Sequence, residues 1–152
     1  MKENYAEEIL KKARARKISN HLLYEGELYP LEVARLIKDN SKAKLVDVRT
    51  RPELIFVGQI PGAIHLEWQF FPSGEINPGF FELLEQVIAK EDCIIFLCRS
   101  GHRSHEAATA SKNRGFESVY NMLEGFEGNP DAHGHRGKVS GWKYAGLPWH
   151  QS

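Results

Sequence analysis

Residues 93–98, CIIFLC, form an unbroken apolar run in a chain whose residues are 26% charged. A run of this length reads as a strand buried on both faces, the pattern of a parallel sheet. Such a strand needs cover on each side, so the flanking sequence must supply helices alternating with further strands. KLVDV (44–48) and SVYNM (118–122) read as strands, and IPGAIH (60–65) as a turn leading to a short one. Pro30 opens a helix whose buried side is either Leu31, Ala34 and Ile37 or Val33 and Leu36. Asn77 and Pro78 open another, with Phe80, Phe81, Leu84, Val87 and Ile88 on one face. A third runs from about Ser104 to Arg114 and stops at Gly115. Thr50 and Glu53 have the spacing of a capping box, with Pro52 in the first turn of a further helix. The expected fold class is α/β: a mainly parallel sheet with helices on both faces.

The 152 residues suffice for one domain with a real core. Residues 5–17 read as a polar helix with a thin stripe of Tyr5, Ile9, Leu10 and Ala13. Residues 1–20 are therefore expected to be a helical extension, packed on the domain or held by a partner, with the domain proper over 21–152. Leu22 to Tyr24 is a short apolar piece before a Gly turn, and the tail from Leu123 is expected to be loop with one helical turn near Trp142. Lys plus Arg equals Asp plus Glu at 20 each, so the total charge points to neither nucleic acid nor membrane. The basic run Lys11 to Lys17 reads as the wet face of a helix. MKENYAEEILKK lacks the apolar stretch of a signal peptide, and no segment approaches a membrane span. Cys93 and Cys98 would lie on opposite faces of one strand, about 16 Å apart. A disulfide needs Cα atoms within about 7 Å, so free thiols and a cytoplasmic setting are expected.

Cys98 ends the best strand, and CRSGHRS follows it into a helix. Ligands of open α/β sheets bind beyond the carboxyl ends of the strands. Gly101 lets the backbone curl, so that successive N–H groups and a helix N-terminus make an anion cradle of Arg99, Ser100, Gly101, His102, Arg103 and Ser104. Cysteines beside arginines at a helix N-terminus ionise readily, which makes Cys98 the candidate nucleophile. Cys93 has no such surroundings and reads as a small core residue.

CRSGHRS resembles the active-site loop of rhodanese-type sulfurtransferases. DVRTRPELIFVGQIPGAIHLEW resembles the family's first signature, and GWKYAGLPW its Gly-Trp plus Gly-Leu-Pro ending, so that the resemblance spans roughly residues 22 to 149. It implies five short parallel strands flanked by helices and a ping-pong reaction without cofactor or metal. Cys98 would take a sulfur from a small anionic donor such as thiosulfate and pass it as a persulfide to cyanide or a thiol, including a protein thiol. The loop N–H groups would stabilise the persulfide, Arg99 and Arg103 would hold the donor's oxyanion end, and Asp47 and Arg49 would brace the loop by ion pairing. Gln59 stands where the family often has His, which reads as a tolerated packing change. His102 occupies the variable loop position and reads as an exposed side chain. The long polar stretch 125–141 has no assigned role.

Two other functions compete. Cysteine phosphatases of the same architecture need an Arg six positions after the Cys, where this chain has Ser104, and Arg103 stands one residue early. A persulfide carrier fed by a partner protein would use the same loop. His133 and His135, with His102, His105 and His150, match no defined zinc spacing and read as solvated. Trp68, Phe70 and Phe71 could edge the site and admit an apolar acceptor, although core or rim packing is the simpler reading, as for Trp142 and Trp149.

Overall fold

The computed structural model describes residues 5–40 and 42–151. Five strands, β1 (Gly26–Leu28), β2 (Ala43–Asp47), β3 (Ile64–His65), β4 (Cys93–Leu97) and β5 (Ser118–Met122), form one sheet in the order β1-β5-β4-β2-β3. Every pairing is parallel. All residues of β4 are buried, as the apolar run demands. Alternation along the run sends Ile94, Phe96 and Cys98 into one core and Cys93, Ile95 and Leu97 into the other. Cys93 and Cys98 therefore face opposite sides of the sheet, and both thiols are free.

Helices α4 (Phe80–Val87) and α5 (His102–Asn113) cover the first face through Phe80, Leu84, Ala107 and Ala108. Helices α1 (Tyr5–Asn20) and α2 (Pro30–Asp39) cover the second through Ala13, Val33 and Leu36. Of the two candidate faces of α2, the one with Val33 and Leu36 is inward, and Leu31 is 64% exposed. α1 lies so close to β1 that a Cβ on Gly26 would run into the Ala13 carbonyl. Arg16 anchors it further by donating to both carboxylate oxygens of Glu32, at 2.6 and 2.9 Å. The first four residues of the expected extension lie outside the described residues.

Several boundaries differ from the sequence reading, two of them with a clear physical reason. Asn77 Oδ1 accepts the Gly79 N–H at 3.0 Å, so Asn-Pro-Gly makes a turn and α4 starts only at Phe80. The short helix ends at Val87, which is solvent-facing, while Ile88 beyond it is buried. At the start of α5, Gly101 takes φ +109 and the helix begins at His102, two residues before Ser104. Near Trp142 the expected helical turn is a single hydrogen-bonded turn, with the Ala145 N–H on the Gly141 carbonyl at 3.0 Å. A short helix, α3 (Arg51–Phe56), follows β2, and the Thr50 N–H and hydroxyl both donate to Glu53 at its start.

Candidate active site

From β2 the chain moves to β3 on one side, and from β4 to β5 on the other, so the carboxyl ends of β2 and β4 flank a topological switch point. Cys98 sits there, one residue past β4. Two groups from the start of α5 reach its sulfur: the Gly101 N–H at 3.1 Å and the Ser104 hydroxyl at 3.3 Å. The residue is 1% exposed, so its sulfur is buried beneath these two donors. The positive φ of Gly101 turns its N–H toward the sulfur, a conformation that L side chains rarely adopt.

The loop backbone is held from outside. Asn121 Nδ2 and the His105 N–H both donate to the Gly101 carbonyl, each at 3.2 Å. The Phe126 N–H donates to the Cys98 carbonyl at 2.8 Å, and the Glu127 and Gly128 N–H groups to the Arg99 carbonyl at 3.0 and 3.2 Å. This strap approaches closely because Gly125, at φ +66, has no side chain: a Cβ there would fall 2.5 Å from the Arg99 carbonyl. The stretch from residue 125, to which the sequence assigns no role, thus begins as a clamp on the loop. Farther along it, Asp131 Oδ1 accepts the N–H groups of His133 and His135 at 2.8 and 2.9 Å. No group of three or more His, Cys, Asp or Glu is placed to hold a metal among the described residues. No helix is long and apolar enough to cross a membrane among them either.

Asp47 and Arg49 form a buried pair at the end of β2. Asp47 Oδ2 accepts from Arg49 Nη2 at 2.7 Å, and Asp47 Oδ1 from Nε at 3.0 Å. The guanidinium also donates to the Gly58 carbonyl at 2.8 Å and stacks 4.2 Å over the Phe126 ring. One ion pair therefore ties together β2, the end of α3 and the strap that grips Cys98.

Arg103 is engaged as well. Its two terminal nitrogens donate to the two Glu53 oxygens at 2.7 and 2.9 Å. Burial pushes the Glu53 carboxyl up, but Arg103 and the Thr50 donors outweigh it and hold the group at about 2. Burial likewise opposes the Arg103 charge, and Glu53, with help from Cys98 and Asp47, more than compensates. Arg99 differs: its side chain makes no hydrogen bond or ion pair among the described residues. Ser100 is half-buried in the loop, and His102 points outward with 83% of its side chain exposed. A cleft of about 530 Å³ opens beside the loop between Arg99 and Arg103 on one side and Phe70 and Phe71 on the other. Cys93 contrasts with Cys98, since burial, with Asp92 and Glu25 adding, pushes its thiol up to about 12.

The sequence motif marks Cys98 and the loop from Arg99 to Ser104, but not three residues that support that loop. Glu53 carried a visible helix-cap signal but no sign of its second role toward Arg103. Asn121 looked like any polar residue of a short strand, and Phe126 like part of a loop.

The Glu53 ion pair has an acid signature. The folded value of about 2 lies below the ordinary 4.5, so the pair's contribution is complete above about pH 4.5 and is lost as the pH falls toward 2. Glu53→Gln is expected to cost about 1–2 kcal/mol at neutral pH, allowing for the partial exposure of the pair. Urea unfolding across this range should show the gap to wild type closing as the solution is acidified. A gap that stays constant would contradict the assignment.

Together these features define an α/β protein that seats one cysteine in a cradle of N–H and hydroxyl donors at the carboxyl end of its central strand. The chain belongs to the rhodanese-like family: the "Rhodanese-like domain" model matches residues 30–129. The crystal structure of Rv0390 from M. tuberculosis superposes with a TM-score of 0.77 at 41% identity, covering 85% of this chain and 99% of that one. The "Uncharacterized protein RP600 homolog" of Rickettsia rickettsii is 39% identical over 116 residues, 75% of this chain and 88% of its own length. A protein of Allochromatium vinosum named "Sulfurtransferase" is 28% identical over 123 residues, 81% of this chain and 92% of that one. Sulfur transfer is thus supported as the chemistry at the level of the family.

Proposed function

We propose that this protein moves a sulfane sulfur from a small anionic donor such as thiosulfate to cyanide or a thiol, through a persulfide on Cys98. The observation that carries the reading is the sulfur held under the Gly101 N–H and the Ser104 hydroxyl at the end of β4. The Cys98 thiolate attacks the outer sulfur of thiosulfate. A bond forms between the two sulfurs, the donor's S–S bond breaks, and sulfite departs with the bonding electrons. Cyanide then attacks the outer sulfur of the persulfide, thiocyanate leaves, and the thiolate is restored. Splitting the transfer through a covalent form is nucleophilic catalysis, and the donors aimed at the sulfur stabilise its negative charge in each half-reaction.

The two loop arginines take different parts in this reading. Arg99, unpaired at the cleft, meets the donor's oxyanion end. Arg103, locked to Glu53, keeps a positive charge beside the sulfur and fixes the first turn of α5. Ser100 and His102 complete the turn of the cradle, and the Asp47–Arg49 pair braces it through Phe126. Ser104 supports sulfur over phosphate, because the position where a phosphatase needs an Arg holds a buried hydroxyl that donates to Sγ. Free thiols fit a reducing compartment such as the cytoplasm.

Steady-state formation of thiocyanate from thiosulfate and cyanide tests the proposal. Turnover is expected. A protein that accepts persulfide only from another protein would be a carrier, and one that hydrolyses an aryl phosphate in a Cys98-dependent way would be a phosphatase.

A further inference from the structure

Asn121 stands where a polar side chain works against the stability of the fold. It lies on β5 at 2% exposure. Alternation along the strand puts it on the face of Val119, toward the core that Tyr24, Cys98, Ala107 and Ala108 share. Its Oδ1 is buried and has no hydrogen-bond partner among the described residues. A buried acceptor in that state lowers stability, and an apolar side chain of similar shape carries no such cost. The other half of the amide is engaged with the loop, where Nδ2 donates to the Gly101 carbonyl at 3.2 Å. Turned over, the amide would set its oxygen against a carbonyl that can only accept, so this orientation is the one the loop requires.

Tyr24 adds a second hold from the segment before β1. It is fully buried, its hydroxyl lies 2.6 Å from His105 Nδ1, and its ring meets the imidazole edge-on at 5.4 Å. Burial, with Glu27 adding, pushes the phenol up against the opposing pull of the Asn121 amide, so the hydroxyl keeps its proton. The His105 N–H is the other donor on the Gly101 carbonyl, at 3.2 Å. Both donors to that carbonyl therefore lead back to Tyr24. Gly101 carries the constraint to the reacting atom, because its own N–H donates to Cys98 Sγ at 3.1 Å. At φ +109 a glycine has no side chain to restrain it, so its partners must.

From this, and resting on the sulfur-transfer reading above, we infer that Asn121 and Tyr24 are positioning residues: they hold the Gly101 carbonyl so that the Gly101 N–H stays aimed at the Cys98 sulfur. A donor fixed in advance favours the thiolate and stabilises charge on the sulfur without reorganising during the reaction. The orphaned Oδ1 is then a loss of stability tolerated for the sake of that aim. A purely structural asparagine would behave in the opposite way, since its removal would weaken the fold.

The test measures stability and chemistry on the same proteins. Asn121→Leu removes the orphaned oxygen and leaves the Gly101 carbonyl its His105 donor. Its urea midpoint is expected to equal or exceed that of the wild type. Single-turnover loading of sulfur from thiosulfate, read by intact mass near neutral pH, is expected to slow about three- to tenfold, as suits a donor misaimed and not removed. The shortfall should narrow as the pH rises, because the thiolate then forms without the donor's help. Tyr24→Phe, which deletes only the hydroxyl, should slow loading about two- to threefold, and the double variant should lose less than the product of the two, since both act through one carbonyl. Wild-type loading rates in either variant would overturn the inference while leaving sulfur transfer intact. A lowered urea midpoint or failure to fold in Asn121→Leu would overturn it too, by making the residue structural. Failure of the wild-type protein to load any sulfur would remove the sulfur-transfer reading and this inference with it.

Discussion

Asp47→Ala is expected to destabilise the domain by about 3–5 kcal/mol, the usual cost of stranding one partner of a buried ion pair. Arg49 is fully buried, and among the described residues its guanidinium donates, apart from Asp47, only to the Gly58 carbonyl. One terminal nitrogen, Nη1, already has no partner among the described residues, so little is left to absorb the loss. Against a total stability of about 5–15 kcal/mol, the loss is large enough to leave a variant that unfolds near ambient conditions. The urea midpoint should drop by roughly 2 M for a domain of this size. Replacing both partners together, as in Asp47→Val with Arg49→Met, should recover much of it, since no charge is then left buried without its partner. A loss below about 1 kcal/mol for Asp47→Ala would mean that the pair is solvated and does not brace the strap.

Cys98→Ala is expected to abolish sulfur transfer, with turnover falling by at least about 10³-fold, because the other thiol, Cys93, faces the opposite core. Folding should be nearly unaffected, since the substitution removes a small side chain whose polar contacts are two hydrogen bonds. Cys93→Ala is the control. That thiol, raised to about 12 and facing the opposite core, is expected to contribute nothing to turnover. Rates with thiosulfate and cyanide for the three proteins check the pattern. Residual turnover in Cys98→Ala that disappears when Cys93 is also replaced would contradict the account.

The contrast between the two cysteines was legible in the sequence, and the reason is physical. Alternation along CIIFLC places them on opposite faces, and only Cys98 is followed by a glycine turn with flanking arginines. The parallel sheet was legible for the same reason, because β4 is buried on both faces and its residue types record that burial. β1 was not. It is an edge strand of three residues beginning at Gly26, and its placement depends on α1 passing over that glycine. The start of α5 is less legible, because polar loop residues such as His102 and Arg103 carry no apolar periodicity to mark the first helical turn after Gly101. Long-range partners were the least visible. Glu53 meets Arg103 across 50 residues of chain, and Arg49 stacks on a phenylalanine in a segment that sequence patterning reads only as polar loop.

Intact-protein mass spectrometry before and after thiosulfate tests the central claim most directly. The account predicts a gain of one sulfur atom, mapped by peptide fragmentation to Cys98 and removed by cyanide. A sulfur found on Cys93, or no gain with thiosulfate or any other sulfane donor, would contradict it.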